Sequence, residues 1–336
     1  MTSPKYTIFT TMKNEGAFML EWIAYNRAIG FTDFIIFTND CDDGTDQIAL
    51  RLEEMGLATH VENPRKGNQG PQRVALRKAR FRDDVQAADW VLCADCDEFL
   101  NIRVGDGRLP DLFEAVGDVE AISVCWKLFG DSGQQEFKRG FVTEQFTYGA
   151  PEKRYPKYRA KGIKTLFKPT DKIRKFGVHR TKLHEEGPYP TWVDAGGHPM
   201  PERMHHQGWS AHPRFSHDFA RLHHYAVRSV DSFLVKRDRG RTNHVDSDQG
   251  LDYWQAMNMN DFEDTSILPR LDAARLEYDR LLSDPKLKAL HEAACLWHEA
   301  KIAELKARDG WPEFRELISN VTGFTSKQTV PEGHLA

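Results

Sequence analysis

Asp95, Asp97 and Glu98 place three carboxylates within four positions of the stretch WVLCADCDEFL, Trp90 to Leu100. Trp90 to Ala94 reads as a buried strand, and Phe99 and Leu100 anchor the far side of the acidic group. Two aspartates two apart, where a strand begins to bend, can turn toward one ligand. Hard divalent cations take oxygen ligands, and Mg²⁺ uses one or two carboxylates together with substrate phosphates. Mn²⁺ accepts much the same set. Such an ion neutralises charge on a departing phosphate. A bare D-x-D also occurs as a solvated acidic turn. Its place straight after an apolar strand favours a metal site, with Asp95 and Asp97 as ligands of Mn²⁺ or Mg²⁺.

Two further polar clusters accompany this one. KNEG (Lys13–Gly16) and NDCDDGT (Asn39–Thr45) each follow an apolar run and precede a helical pattern. Thr45 or Asp43 suits a helix cap. The alternative role for the cluster is hydrogen bonding to a nucleobase or ribose. There is no G-x-G-x-x-G and no Walker sequence, which counts against dinucleotide and P-loop binding.

The elements that must position these clusters are short. KYTIFTTM, DFIIFTN, ATHVEN, DWVLCAD and EAISVCW read as strands. AFMLEWIAYNRAIG, GTDQIALRLEEMG and PQRVALRKARFRDDV read as helices, the first two stopped by Gly30 and Gly56. The alternation predicts a mostly parallel central sheet flanked by helices. Ligands of such sheets sit outside the carboxyl ends of the strands, so the three clusters are expected on one rim. Periodicity is lost from about residue 127 to 218. It returns as helix from Leu251, giving a C-terminal helical extension. The expected divisions are a catalytic domain at 1–245, a helical region at 246–324 and a disordered tail at 325–336.

The chain has 336 residues, 40% hydrophobic and 29% charged, with a net charge of −4. These values suit a soluble globular protein and give no general bias toward nucleic acid or membrane. No apolar run suits a signal peptide or a membrane span. Five scattered cysteines form no C-x-x-C pair, so a reducing, cytoplasmic address is expected. Nine of 14 histidines lie between His179 and His224, without zinc-site spacing; most are expected on the surface or in loops. Lys153 to Lys182 carries 12 Lys/Arg and one acid, Asp171. That run reads as a solvated face, or as a steering surface for an anionic acceptor or diphosphate. Tyr155 and Tyr158 within it could stack on bases, but no RNA module surrounds them, and nucleic acid is not an expected partner. In CWKLFGDSG, Trp126 and Phe129 read first as core, with Trp126 alternatively a platform for a sugar ring. Asp131 and Glu98 are the two candidates for a general base.

Together these motifs resemble bacterial glycosyltransferases of the family 2 type, on the GT-A-type nucleotide-sugar-binding fold, in a subgroup similar to the eukaryotic family 92 enzymes. The likeness rests on TTMKNEGAFMLEWIAYNRAIGFTDFIIFTNDCDDGTD, DWVLCADCDEFL, CWKLFGDSG and LHHYAVRSVDSFLVKRDRG. It implies that Asp95 and Asp97 hold Mn²⁺ or Mg²⁺ on the donor's diphosphate, with His224 near the metal or diphosphate. It implies that Glu15, Asn39 and Asp43 line the nucleotide pocket, and that Arg228, Lys236 and Arg239 contact phosphate. Thr38–Asn39 stands where family 2 has paired acids. The expected function is a metal-dependent, inverting transfer of a sugar from a nucleotide-sugar donor, foremost a UDP-sugar. A saccharide or lipid-linked acceptor would receive it, and the latter leaves room for peripheral contact with the inner membrane. The alternatives are a non-catalytic carbohydrate- or polyanion-binding protein on the same fold, or a nucleotidyltransferase.

Overall fold

The computed structural model describes residues 3–65, 67, 69–151, 161–211, 215–240 and 250–321. Tyr155, Tyr158, the start of the basic run, the 245/246 division and the tail from 325 lie outside the described residues.

The strands are β1 (Tyr6–Met12), β2 (Asp33–Thr38), β3 (Thr59–Glu62), β4 (Trp90–Cys93), β5 (Glu98–Ile102), β6 (Ala121–Leu128), β7 (Tyr148–Gly149), β8 (Ile163–Phe167), β9 (Ile173–Lys175), β10 (Lys182–Leu183), β11 (Trp192–Asp194), β12 (Ala220–His224) and β13 (Phe262–Glu263). The helices are α1 (Gly16–Ala28), α2 (Thr45–Glu54), α3 (Pro71–Arg80), α4 (Asp83–Gln86), α5 (Leu109–Val116), α6 (Val142–Gln145), α7 (Arg203–His206), α8 (Val230–Arg239), α9 (Leu251–Met257), α10 (Leu271–Leu282), α11 (Pro285–Lys306) and α12 (Trp311–Asn320). The helix expected over PQRVALRKARFRDDV is two: α3 stops at Arg80, and α4 begins at Asp83.

The central sheet runs β3-β2-β1-β4-β8-β6-β12-β5, with β11 also on β6. β1 pairs in parallel with β2 and β4, β2 with β3, and β6 with β11 and β12. Antiparallel pairing enters through β8, between β4 and β6, and through β5 on β12. The α/β class, the mostly parallel sheet and the C-terminal helices agree with expectation.

Alternate residues along each strand feed opposite faces. Ile8, Phe34, Ile36 and Leu92 join α1 and α2 on one face, while Phe9, Ile35, Phe37 and Val91 meet Ala75, Leu76 and Ala79 of α3 on the other. α1 is buried almost all round, as a helix with no polar face must be. Its outer side is covered by α10 and α11, whose Leu271, Ala274, Leu281, Leu287 and Ala294 belong to the same core. The C-terminal helices therefore pack on α1, α2 and α8 rather than on the sheet.

One connection governs the site. The link from Cys93 to Glu98 is turned on itself, with Glu98 N–H donating to Asp95 O at 3.0 Å. Such a turn cannot span the roughly 19 Å that four flat strand spacings require. The sheet curls instead, bringing its β5 edge back beside β4 with Asp95 and Asp97 at the fold.

Candidate active site

The parallel neighbours β1, β2 and β4 deliver KNEG, NDCDDGT and DCDE to one rim, as the sequence predicts. Asp97 is fixed from the β12 side: its backbone oxygen accepts from Tyr225 N–H at 2.9 Å. Its nearly buried carboxylate accepts from Lys236 Nζ on Oδ2 at 2.6 Å, and Oδ1 lies 3.5 Å from His224 Nε2. Burial alone would raise this carboxyl's pKa. Lys236, His224 and Arg228 outweigh burial and hold it well below the usual carboxylate range.

Glu15 forms the second half of this nest. Arg228 donates from both Nη1 and Nη2 to Oε2 at 3.1 Å, and Arg239 Nη1 pairs with Oε1. Arg239 also donates to Lys13 O at 2.6 Å. Burial opposes ionisation of Glu15, but Arg239 and Arg228 win and its pKa is lowered. Arg228 has φ +57°, the left-handed region, with its guanidinium 3.6 Å from the Phe18 ring centroid. A bulky residue in that conformation is strained and persists only where surrounding contacts hold it. α8, which carries Lys236 and Arg239, starts at Ser229, whose hydroxyl caps Ser232 N–H at 3.2 Å.

Asp95 takes different partners. Gln72 at the start of α3 donates to Oδ1 at 2.9 Å, and Lys164 of β8 to Oδ2 at 3.0 Å. Lys164 is fully buried and also lies 3.2 Å from Glu98 Oε2. Burial would lower the lysine's pKa, but Asp95 and Glu98 reverse this and raise it. Glu98 itself is spent: Oε1 accepts from Trp126 Nε1 at 2.7 Å, and Oε2 from Asp95 N–H at 2.8 Å. Burial pushes its pKa to about 7.

The remaining nominated residues divide. The N-cap of α2 is Gly44 rather than Thr45 or Asp43; Asp43 instead ties the turn, its Oδ1 accepting from Thr45 N–H at 2.9 Å and its Oδ2 from Gly16 N–H at 2.8 Å. Asn39 is buried at the rim, and its Oδ1 has no hydrogen-bond partner among the described residues. Asp131 lies wholly buried beyond β6. Gly133 N–H and Asn260 Nδ2 donate to its Oδ1 at 3.2 and 2.9 Å, while Oδ2 has no partner among the described residues. Burial raises its pKa against those bonds.

Trp126 is core, its first reading, rather than an open sugar platform: Gly162 packs on its ring, and the His224 ring lies 4.5 Å away. Two further expectations change. His223 is fully buried rather than superficial, 3.1 Å from Asn101 on the side of β12 opposite His224. The basic run is not simply a solvated face. Lys164 turns inward, Arg180 is buried on Gly208 O and Thr181 O, and Lys172 pairs with Glu120 at 2.7 Å. Asn258 Oδ1 accepts from Asp131 N–H at 2.8 Å, and nothing in the sequence singles out this Asn258–Asn260 brace, Lys164 or Gln72.

Among the described residues, no group of three or more His, Cys, Asp or Glu side chains stands ready to hold a metal ion. Asp97 Oδ1 and His224 Nε2 nonetheless fit as two ligands of one. Adjacent ligands of an octahedral ion with bonds of about 2.1 Å stand about 3 Å apart. The protein supplies few ligands, so such an ion would complete its shell on substrate oxygens. No helix among the described residues is long and apolar enough to cross a membrane.

Known proteins share this arrangement of sequence. A glycosyltransferase family 92 protein of Oryza sativa subsp. japonica is 28% identical over 154 residues, covering 44% of this chain and 25% of that protein. A second, of Ricinus communis, is 26% identical over 146 residues, covering 42% and 25%. The chain thus spans about a quarter of the length of these relatives. Among solved structures, that of S. aureus TarS 1–349 in complex with UDP is a distant likeness, with a TM-score of 0.31 and 14% identity over 49% of this chain and 47% of that one. The sequence model of glycosyltransferase family 92 matches residues 10–225, from within β1 to the residue after β12. That match covers well over half of the chain and takes in the carboxylates of both nests, and on it the chain belongs to glycosyltransferase family 92.

Proposed function

We propose that the chain is a metal-dependent glycosyltransferase on a GT-A-type fold. It moves a sugar from a nucleotide-sugar donor, a UDP-sugar first among them, to a hydroxyl of a saccharide or lipid-linked acceptor. The observation that carries this reading is the nest around Asp97. An ionised carboxylate with His224 at 3.5 Å is ringed by Lys236, Arg228 and Arg239 on the rim where β1, β2 and β4 end. Three fixed cations facing two acids leave one positive charge for an anionic ligand, and preorganised charge of this kind stabilises a departing diphosphate without reorganisation.

Asp97 and His224 would hold Mn²⁺ or Mg²⁺, and the ion would offset charge on the leaving diphosphate, while Asp95 stays with Gln72 and Lys164. Lys236 and Arg239, freed in part from Asp97 and Glu15, turn their donors to phosphate oxygens. Asn39 Oδ1, at the end of β2, is a buried acceptor for a donor N–H or hydroxyl. The acceptor oxygen bonds to the anomeric carbon as that carbon's bond to the diphosphate breaks, which inverts the configuration. The acceptor's proton passes to a carboxylate. Both oxygens of Glu98 are engaged, so Asp131, with its uncommitted Oδ2, is the base of choice.

The test is direct. Purified protein incubated with Mn²⁺ and a panel of nucleotide sugars should release nucleoside diphosphate from at least one, and chelation should stop it. Absence of both release and any thermal shift across the panel would sink the proposal.

A further inference from the structure

α11 lies outside residues 10–225, yet it reaches the rim. Gly16 packs directly on it: a Cβ there would stand 2.7 Å from Ala294 Cβ. Further along α11, Trp297 and Lys301 sit four residues apart on one helix face. They line a cavity of about 290 Å³ together with Lys13, Asn14, Asp42 and Arg239. The walls are therefore the β1–α1 turn, the β2–α2 turn, α8 and α11. Lys301 is held in place by Asp238 and Glu304, each at 3.0 Å.

The chemistry of the lining is mixed in a particular way. Trp297 offers a flat aromatic surface and exposed Asp42 a carboxylate for a diol, held by Asn14, whose Oδ1 accepts from Asp42 N–H at 2.8 Å and whose Nδ2 donates to Asp42 Oδ2 at 3.4 Å. Lys13, Arg239 and Lys301 set three positive charges against the carboxylates of Asp42, Asp238 and Glu304. The volume lies near the lower end of the roughly 300–1,000 Å³ of small-molecule sites, enough for a nucleoside but not for a whole nucleotide sugar. Its position accounts for the rest of such a ligand. Arg239 lines the cavity, and Lys236, three residues earlier on α8, holds Asp97. Residues three apart on a helix are neighbours about 5–6 Å apart. A ligand with an aromatic end in the cavity and an anionic end toward Asp97 spans that one turn.

We infer that this cavity takes the nucleoside of the donor, with Trp297 as its stacking platform and Lys301 at its edge, so that α11 forms part of the donor site. The inference rests on the glycosyltransferase reading above and adds Trp297 and Lys301, outside the family segment, to its nucleotide end.

Calorimetric titration with UDP, GDP, ADP, CDP and dTDP in Mn²⁺, and separately with inorganic pyrophosphate, tests it. Wild-type protein should bind at least one nucleoside diphosphate. Trp297→Ala should weaken that binding by roughly 5- to 150-fold, the worth of one base–aromatic stack, while leaving pyrophosphate affinity unchanged; because Trp297 also packs against the core, a lower melting temperature is expected. Trp297→Phe should retain most of the affinity. Equal binding by wild type and Trp297→Ala overturns the inference and leaves the functional reading intact. Parallel loss of nucleotide and pyrophosphate overturns it as well, because the role is then structural. Wild-type protein that binds none of the five nucleotides overturns both. Should Trp297→Ala not fold, Trp297→Leu, which keeps apolar bulk without a π face, is read by the same outcomes.

Discussion

The D-x-D motif sends its two aspartates into opposite electrostatic surroundings. Asp97 and Glu15 face Arg228, Lys236 and Arg239, two acids against three cations. Asp95 and Glu98 share Lys164, two acids against one. The first nest keeps its carboxylates ionised, and the second pushes Glu98 toward its protonated form. Neighbouring positions in a chain therefore need not share a role. On the function proposed above the first nest meets an anionic donor, while the second braces the turn from β4 to β5 by closing on Trp126 and β8.

The sharpest way to break this distinction is Asp97→Asn. Removing the charge from the first nest should lower metal-dependent release of nucleoside diphosphate by about a thousandfold, as loss of a preorganised electrostatic group does. The folded circular-dichroism spectrum should be retained. Initial rates within tenfold of wild type would mean that the two nests do not differ in function.

Lys164→Met should act mainly on stability. It strands Asp95 and Glu98 without their cation, and breaking a buried pair from one side costs about 3–5 kcal/mol. Urea unfolding measures it; an unchanged midpoint would show that the second nest is not held by charge.

Glu21 offers a reference outside both nests. It is buried on α1 and accepts from Val142 N–H at 2.7 Å, Thr143 N–H at 3.0 Å and Thr143 Oγ1 at 2.8 Å. Burial outweighs those bonds and raises its pKa from 4.5 to about 7. Below pH 4.5 both folded and unfolded chains hold the proton. Between 4.5 and about 7 only the folded chain does, so its contribution is lost as pH rises through that window and then levels. The fall is on the order of 3 kcal/mol, and Glu21→Gln should flatten it in urea melts taken across the window.

Asp131→Asn should produce the smallest change, a drop of about a hundredfold in kcat with nucleotide affinity unaltered. A drop in affinity instead would assign Asp131 to the turn that Asn258 and Asn260 brace.

The N-terminal half of the fold is legible because each element carries its own boundary. Apolar runs of strand length alternate with helices stopped at Gly30 and Gly56, and parallel order then forces three polar clusters onto one rim. The elements that escape notice depend on distant pairing. β8 is five residues in a Pro- and Gly-rich stretch, and nothing local in GIKTLF says that it enters the middle of the sheet. Its alternation puts Ile163 and Thr165 on one face and Lys164 on the other, but the acids that make burial of a lysine tolerable lie in the turn after β4 and at the start of β5. β5 hides because FLNI after an acidic motif reads as a loop anchor. Arg228, Lys236 and Arg239 are found through the late sequence pattern, yet their pairing with Glu15 and Asp97 is set wholly by tertiary structure. Asn258 and Asn260 carry no signal beyond being turn residues.

The missing side chain at Gly16 lets Ala294 sit against the loop that opens α1, and so makes the two ends of the polypeptide mutually dependent. A shortened protein stopping at Gly240 would lose that buttress and leave the KNEG loop free to relax. Exchanging C-terminal segments between homologues would succeed only where the incoming helix also presents a residue no larger than alanine at this point.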